Sequence, residues 1–280
     1  MIFVSSACVK HNKIKYSVQE LVNYGFKNIE LSGGTNFYNG FVDDLLELKD
    51  KYNLNYICHN YFPPPKNHFV LNLASLDNNV FQKSFNHLEK SIDLSRKLNS
   101  KKFGLHAGFY HNIPLNQIGK RITKQKLFDK EKSVLRFCNA FNSLKEKNPD
   151  ISLYIENNVL SNENFNNFGE NFFMLTNMSE YLGLIKKIDF NLILDTGHLK
   201  VSCNSLNLNF EKEFDYLFNK SDYLHISDNN CYVDQNKGLQ KSSNLYSILS
   251  QYSLSNRTVT IEVYDSIREI IKTYNLINNL

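Results

Sequence analysis

Short apolar, β-prone runs recur along the whole chain, and four of them in its second half stop abruptly at an acid or an imidazole. They read Leu153-Tyr-Ile-Glu156, Leu192-Ile-Leu-Asp195-Thr-Gly-His198, Tyr223-Leu-His225-Ile-Ser-Asp228 and Val259-Thr-Ile-Glu262. Segments patterned as helices lie between them. That alternation is what a parallel sheet with crossover helices requires. If the sheet closes on itself, every C-terminal strand end opens on one mouth, and side chains roughly 30 to 40 positions apart can meet there.

Eight strand candidates can be counted, at residues 2–5, 28–31, 55–59, 102–106, 151–156, 190–195, 223–226 and 258–263. Eight strands close a (β/α)8 TIM barrel, so the expected fold class is α/β, and no Pro/Gly/Ser linker divides residues 1–280 into more than one domain. Between the strands, amphipathic spacing predicts helices over 18–24, 41–52, 79–98, 126–147, 178–188, 210–218, 245–252 and 266–278. Ser17-Val-Gln-Glu20 reads as a capping box opening the first, and Gly25 as its C-terminal stop. Three connections, 60–78, 107–124 and 157–177, exceed the usual length and follow strand ends, so they should cover the mouth.

Composition narrows the class further. Twenty-one Phe and 16 Tyr supply bulky core material to a chain that is 42% hydrophobic. The net charge of +4, without a long basic run, is too small to argue for nucleic acid. Lys66, Lys120, Arg121, Lys124, Lys237 and Lys241 are scattered as a solvated surface would scatter them. Five Cys without a CxxC pair read as reduced thiols. The opening Met-Ile-Phe-Val-Ser-Ser-Ala reads as a strand rather than a signal peptide, and no run approaches the length of a membrane span. A cytoplasmic protein with no membrane partner is the expectation.

Two Glu, one Asp and one His on a stiff frame suit a divalent metal: Mn²⁺, Co²⁺, Mg²⁺ or Zn²⁺. Taken singly, each has a plainer role. A lone acid at a strand end usually caps the next helix, and His225 alone would read as a buried, hydrogen-bonded imidazole. Together on one rim with His225, the like-charged carboxylates of Glu156, Asp195 and Glu262 would repel strongly without a cation. His59 and His106 end the third and fourth strands and could hold a second metal or contact substrate, and His198 should face the same pocket. Glu30 reads as a turn or cap residue. His11, His68, His87 and His111 read as structural or surface residues. Cys58 adjoins His59, but strand alternation sends the two to opposite faces.

With these segments laid out, the chain resembles the xylose isomerase-like TIM-barrel superfamily, which holds sugar isomerases, ketose 3-epimerases, inositol-pathway enzymes and the endonuclease IV class. The resemblance spans nearly the whole chain. It is carried by Asp195-Thr-Gly-His198, by His225-Ile-Ser-Asp228 and by Ile261-Glu-Val263. In the epimerase branch it implies that Glu156, Asp195, His225 and Glu262 hold one metal. It further implies that Glu156 and Glu262 flank the reacting carbon, removing and returning its proton beside a metal-polarised carbonyl, via an enediolate. His198 would then contact the substrate, a small sugar or sugar phosphate. The Ser32-Gly33-Gly34 turn is no phosphate-binding motif, so both forms stay open. Relatives of this kind often pair near the mouth, which implies a homo-oligomer.

The endonuclease branch implies more ligands. His59 and His106 match its two early His ligands, Glu156-Asn157 its Glu-Asn, and His198 one ligand of its third metal. That branch would hydrolyse DNA phosphodiesters with zinc. Its remaining Asp-x-His is matched only by Asp234-Gln235-Asn236, where Asn replaces an imidazole.

Overall fold

The computed structural model describes residues 1–280 and shows a closed barrel of eight parallel strands paired in chain order. The strands are β1 (Ile2–Ser5), β2 (Asn28–Leu31), β3 (Asn55–His59), β4 (Lys102–His106), β5 (Ser152–Glu156), β6 (Asn191–Asp195), β7 (Ser221–Ile226) and β8 (Thr258–Ile261). Pairing of β1 with β8, Ile2 opposite Val259, completes the ring. The expected (β/α)8 fold is therefore the observed one.

Strand alternation sorts the side chains into two cores. Val4, Ile29, Cys58, Leu105, Ile155, Leu194, Leu224 and Ile261 point outward into the large apolar cluster shared with the helices. Phe3, Ile57, Tyr154, Ile193 and Tyr223 point inward and pack as a separate cluster inside the ring. Two residues further along four of those strands come His59, Glu156, Asp195 and His225. Period-two geometry thus puts these polar groups on the inner face, one layer above an apolar plug. Below the plug, Asp222 accepts from Tyr154 Oη at 3.1 Å and pairs with Lys102 Nζ at 3.1 Å.

Ten helices accompany the strands: α1 (Ile14–Asn23), α2 (Phe41–Tyr52), α3 (Asn78–Lys97), α4 (Lys130–Lys147), α5 (Asn162–Phe168), α6 (Met178–Ile185), α7 (Thr196–Ser205), α8 (Phe210–Phe218), α9 (Asn244–Leu249) and α10 (Ile267–Ile277). The expected capping box at Ser17 is not used. Burial of Ile14 with Val18 and Leu21 extends α1 one turn earlier, Ser17 is buried inside it, and Glu20 meets His11 Nε2 at 2.5 Å. Gly25 does end that helix region, with φ at +89°. The Asn-rich 157–177 stretch, expected as open loop, contains α5. Ser161 caps it by accepting from Asn164 N, and Gly169 stops it at φ +77°. His87 and His111 are buried, the latter against Phe168 and Phe172, whereas His68 is exposed.

The segments over the mouth are packed. Asn72 donates to Phe109 O and His111 O and accepts from Ala74 N and Phe109 N. Asn158 Nδ2 faces Ala107 O, Gly108 O and Met174 O at 2.9 to 3.1 Å. Phe109, Ile122, Leu160, Phe168, Phe172 and Phe173 form an apolar cluster of their own within these segments.

One inner position leaves no room for a side chain. A Cβ on Gly104 of β4 would lie 2.5 Å from Ile193 Cδ1 and 2.6 Å from His59 Cδ2. Gly104→Ala is expected to destabilise the fold by about 1–3 kcal/mol through overpacking, and to turn His59 off its present position. Urea denaturation reads the first effect and the imidazole resonances of His59 the second; unchanged values for both would refute the packing argument.

Candidate functional site

Each candidate side chain arrives at the mouth by the same local logic: an apolar strand delivers it, and the following turn fixes it. Asp195 shows this most fully. It ends β6 and caps α7, its Oδ1 accepting from His198 N at 2.6 Å while Oδ2 has no hydrogen-bond partner. The cap reading and the ligand reading therefore use different oxygens of one carboxylate. Asn157 brackets the same residue, accepting from Asp195 N at 2.7 Å and donating to Asp195 O at 3.1 Å. Glu262 lies just past β8, where its N–H donates to Ile226 O and prolongs the ladder.

Glu156, Asp195, His225 and Glu262 come together. One potential ligand atom from each lies within 4.8 Å of all the others, and all four residues are buried. His225 Nδ1 is 3.4 Å from Glu156 Oε1 and 3.6 Å from Glu262 Oε2. A second group, His59, His106 and Glu156, satisfies the same criterion and shares Glu156 with the first. His59 Nε2 approaches Glu156 Oε2 to 2.7 Å and His106 Nδ1 lies 3.6 Å from it. His198 stands beside both: Nδ1 is 2.8 Å from Asn157 O and 3.4 Å from Glu156 Oε1, and Nε2 is 3.4 Å from Asp234 Oδ2. All seven residues singled out in the sequence share one chamber.

Glu30 does not fit its expected turn or cap role. It is fully buried inside the ring, with Oε2 3.2 Å from His225 Nε2 and 2.9 Å from Thr260 Oγ1, and it is also bonded to the hydroxyl of Tyr223. The clue was present. Glu30 is the penultimate residue of β2, as His225 is of β7. Asp228, in contrast, turns away to Lys200 Nζ at 2.5 Å.

The charges in this chamber are strongly coupled. Burial alone would raise the Glu30 and Glu156 carboxyls, but neighbouring imidazoles outweigh it. Glu30 falls to about 2, chiefly through His225, and Glu156 falls well below the usual range through His106, His225 and His59. Burial pushes Asp195 up to about 7, with Glu156, Asp234 and Glu262 adding to the effect against His198. Burial would depress His225 and His198, yet the surrounding carboxylates raise both well above an ordinary imidazole. Among these groups alone, protons on imidazole nitrogens balance the carboxylates.

The residues fit a divalent cation. Glu156 Oε1 and Oε2, Asp195 Oδ2, His225 Nδ1, His59 Nε2 and His106 Nδ1 are all buried, and although some lie close together, none meets a partner in hydrogen-bond geometry. Natural proteins rarely leave such atoms unpaired, and these converge on a single chamber. Oxygen and imidazole donors without thiolate suit a hard or borderline ion. Cys58, the nearest sulfur in sequence, is buried on the opposite side of β3 in the outer core.

The model of the xylose isomerase-like TIM barrel family matches residues 18–274. The chain belongs to that family. Among solved structures, a D-tagatose 3-epimerase-like protein superposes with a TM-score of 0.72 at 19% identity, covering 99% of this chain and 96% of its own. A putative xylose isomerase from Rhodospirillum rubrum gives 0.72 at 12%, covering 99% and 98%. Endonuclease IV from Thermus thermophilus gives 0.61 at 13%, covering 99% and 97%. At such identities these likenesses establish a common fold. No curated protein matches the chain by sequence. No helix is long and apolar enough to cross a membrane.

A cation entering this chamber must displace protons from His225 and Asp195. Mn²⁺ binding is therefore expected to release protons into weakly buffered solution and to tighten between about pH 6 and 8. Calorimetry in buffers of different ionisation enthalpy measures both; binding without proton release would contradict the charge balance described.

Proposed function

We propose that the chain is a divalent-metal-dependent sugar isomerase or epimerase acting on a small sugar or sugar phosphate. The observation that carries this reading is the convergence of Glu156, Asp195, His225 and Glu262, two of them glutamates able to move protons, within 4.8 Å. These four residues would hold the ion. Bound there, Mn²⁺, Co²⁺, Mg²⁺ or Zn²⁺ would supply Lewis acidity to a substrate carbonyl and its neighbouring hydroxyl.

The remaining work falls to the chain's own side chains. Glu262 presents the more open carboxylate, with its side chain 10% exposed against 1% for Glu156. It is the residue to meet a substrate C–H first, and its carboxylate takes that proton. Glu156 reaches the chamber from β5, three strands away around the ring. It can return a proton from another direction, which inverts the carbon. A single carboxylate carrying the proton between adjacent carbons would isomerise instead. His198, with Nδ1 donating to Asn157 O, offers Nε2–H to a substrate oxygen when Asp234 yields it. His59 and His106 line the same chamber and would hydrogen-bond further hydroxyls. The apolar plug below and the packed segments above keep bulk water from the transfer, which a weakly basic carboxylate needs.

A second reading has its own support. The His59, His106 and Glu156 group is a second set of donors, as an endonuclease IV-like phosphodiesterase using several zinc ions would need. Asn236 weighs against it, since an amide stands where a further imidazole would complete a third zinc site.

Exchange of solvent deuterium into carbon-bound positions of a ketose panel, run beside cleavage of an abasic duplex, separates the two. The sugar reading expects exchange without nicking. Strong nicking without exchange would reverse the preference. Glu262→Gln should lower the exchange rate by roughly 10²–10⁴-fold and reduce bound metal measured by elemental analysis; unchanged metal content and rate would remove the basis for the assignment.

A further inference from the structure

Beneath the four-residue cage lies a carboxylate that the proposed proton transfers do not use. Glu30 sits inside the ring with no solvent exposure, and no Lys or Arg pairs with it. Its partners are hydroxyls and imidazoles. Thr260 Oγ1 donates to Oε2 at 2.9 Å, Tyr223 Oη donates to the same oxygen, and Ser32 Oγ lies 3.3 Å from Oε1. Ser32 Oγ is met in turn by Ser5 Oγ at 3.0 Å. Hydroxyls from β7, from β8 and from the residue just past β2 therefore hold one carboxylate in a fixed orientation.

We propose that Glu30 is the positioning residue of the cage: by accepting Nε2–H of His225, it fixes that imidazole's tautomer and turns the Nδ1 lone pair toward the cation. This inference rests on the metal-binding reading above. The distances supply the argument. His225 Nε2 is 3.2 Å from Glu30 Oε2, while Nδ1 faces Glu156 Oε1 at 3.4 Å and Glu262 Oε2 at 3.6 Å. An ionised carboxylate only accepts, so it pairs with the ring form that carries hydrogen on Nε2. A neutral imidazole has one N–H, and Nδ1 is then left bare for a metal. The same carboxylate approaches His59 Nδ1 at 4.0 Å from its other oxygen, while His59 Nε2 faces Glu156. At 4.0 Å that second approach is too long for a hydrogen bond, so the orienting hold of this buried acid falls on His225. Carboxylates that orient metal-bound imidazoles also raise their basicity, and their loss weakens binding by roughly 10–100-fold.

The plainer alternative is that Glu30 only anchors Tyr223 in the plug. Two measurements separate the roles. Co²⁺ affinity, read by competition with a chromophoric chelator at fixed pH, should fall about 10–100-fold in Glu30→Gln, which keeps the side-chain shape. Tyr223→Phe removes a Glu30 contact but leaves the His225 pair, and should weaken Co²⁺ far less. In the Co²⁺-loaded wild-type protein, proton NMR should show a paramagnetically shifted, exchangeable Nε2–H from His225 that is lost in D₂O. This last observation needs no variant and so survives any failure of Glu30→Gln to fold. Equal affinity in wild type and Glu30→Gln, equal weakening in both variants, or a His225 bound through Nε2 would each overturn the inference. A wild-type protein that gives no Co²⁺ d–d spectrum would instead bring down the metal reading itself, and the positioning role with it.

Discussion

Carboxylates enclosed in a ring of low polarity repel one another, and the upper half of this barrel is arranged around that repulsion. Glu30, Glu156, Asp195 and Glu262 are all buried there. In a medium of reduced dielectric, charges a few ångströms apart interact by several kcal/mol rather than about one. The chain answers with His59, His106, His198 and His225 interleaved among the acids. Imidazoles suit this task because they carry positive charge when protonated and lend a lone pair when not. A lysine or arginine at the same place would neutralise the acids permanently and leave nothing for a cation to replace.

The arrangement also divides labour along the barrel axis. The lower interior, from Phe3 to Tyr223, is apolar and carries packing energy. The charged layer sits on it, and hydroxyls of Ser5, Ser32, Tyr223 and Thr260 form the seam between the two. Family membership fixes the scaffold, yet the same scaffold underlies an epimerase-like protein, a xylose isomerase-like protein and an endonuclease IV. The difference must lie in which donors are populated at the rim. Asn236, two residues past Asp234, has a left-handed backbone, at φ +47°, which suits an amide side chain better than most.

Much of this was legible in the residue order because the relevant signals are local. A strand that ends on Glu156 or Asp195 announces both its own length and the side chain's face, since the repeat is two residues. What escaped was set by tertiary contacts. Glu30 resembles any acid near a turn until β7 and β8 bring Tyr223, His225 and Thr260 against it. The Ser17 to Glu20 pattern satisfied a capping rule, but burial of Ile14 outweighed it. The Asn-rich stretch hid α5, because the same residue type serves there as surface, helix interior and, at Asn158, buried donor.

Asn158 has a consequence for how the segments after β4 and β5 behave. Its amide nitrogen carries two hydrogens but faces three carbonyls, Ala107 and Gly108 after β4 and Met174 ahead of α6. Separate stretches of backbone therefore hang from one buried side chain. Pulling either aside would strip the amide of partners in a dry setting, at a cost of roughly 1–3 kcal/mol for each group left unpaired. The stretches that follow β4 and β5 are consequently tied into one unit through a single buried side chain.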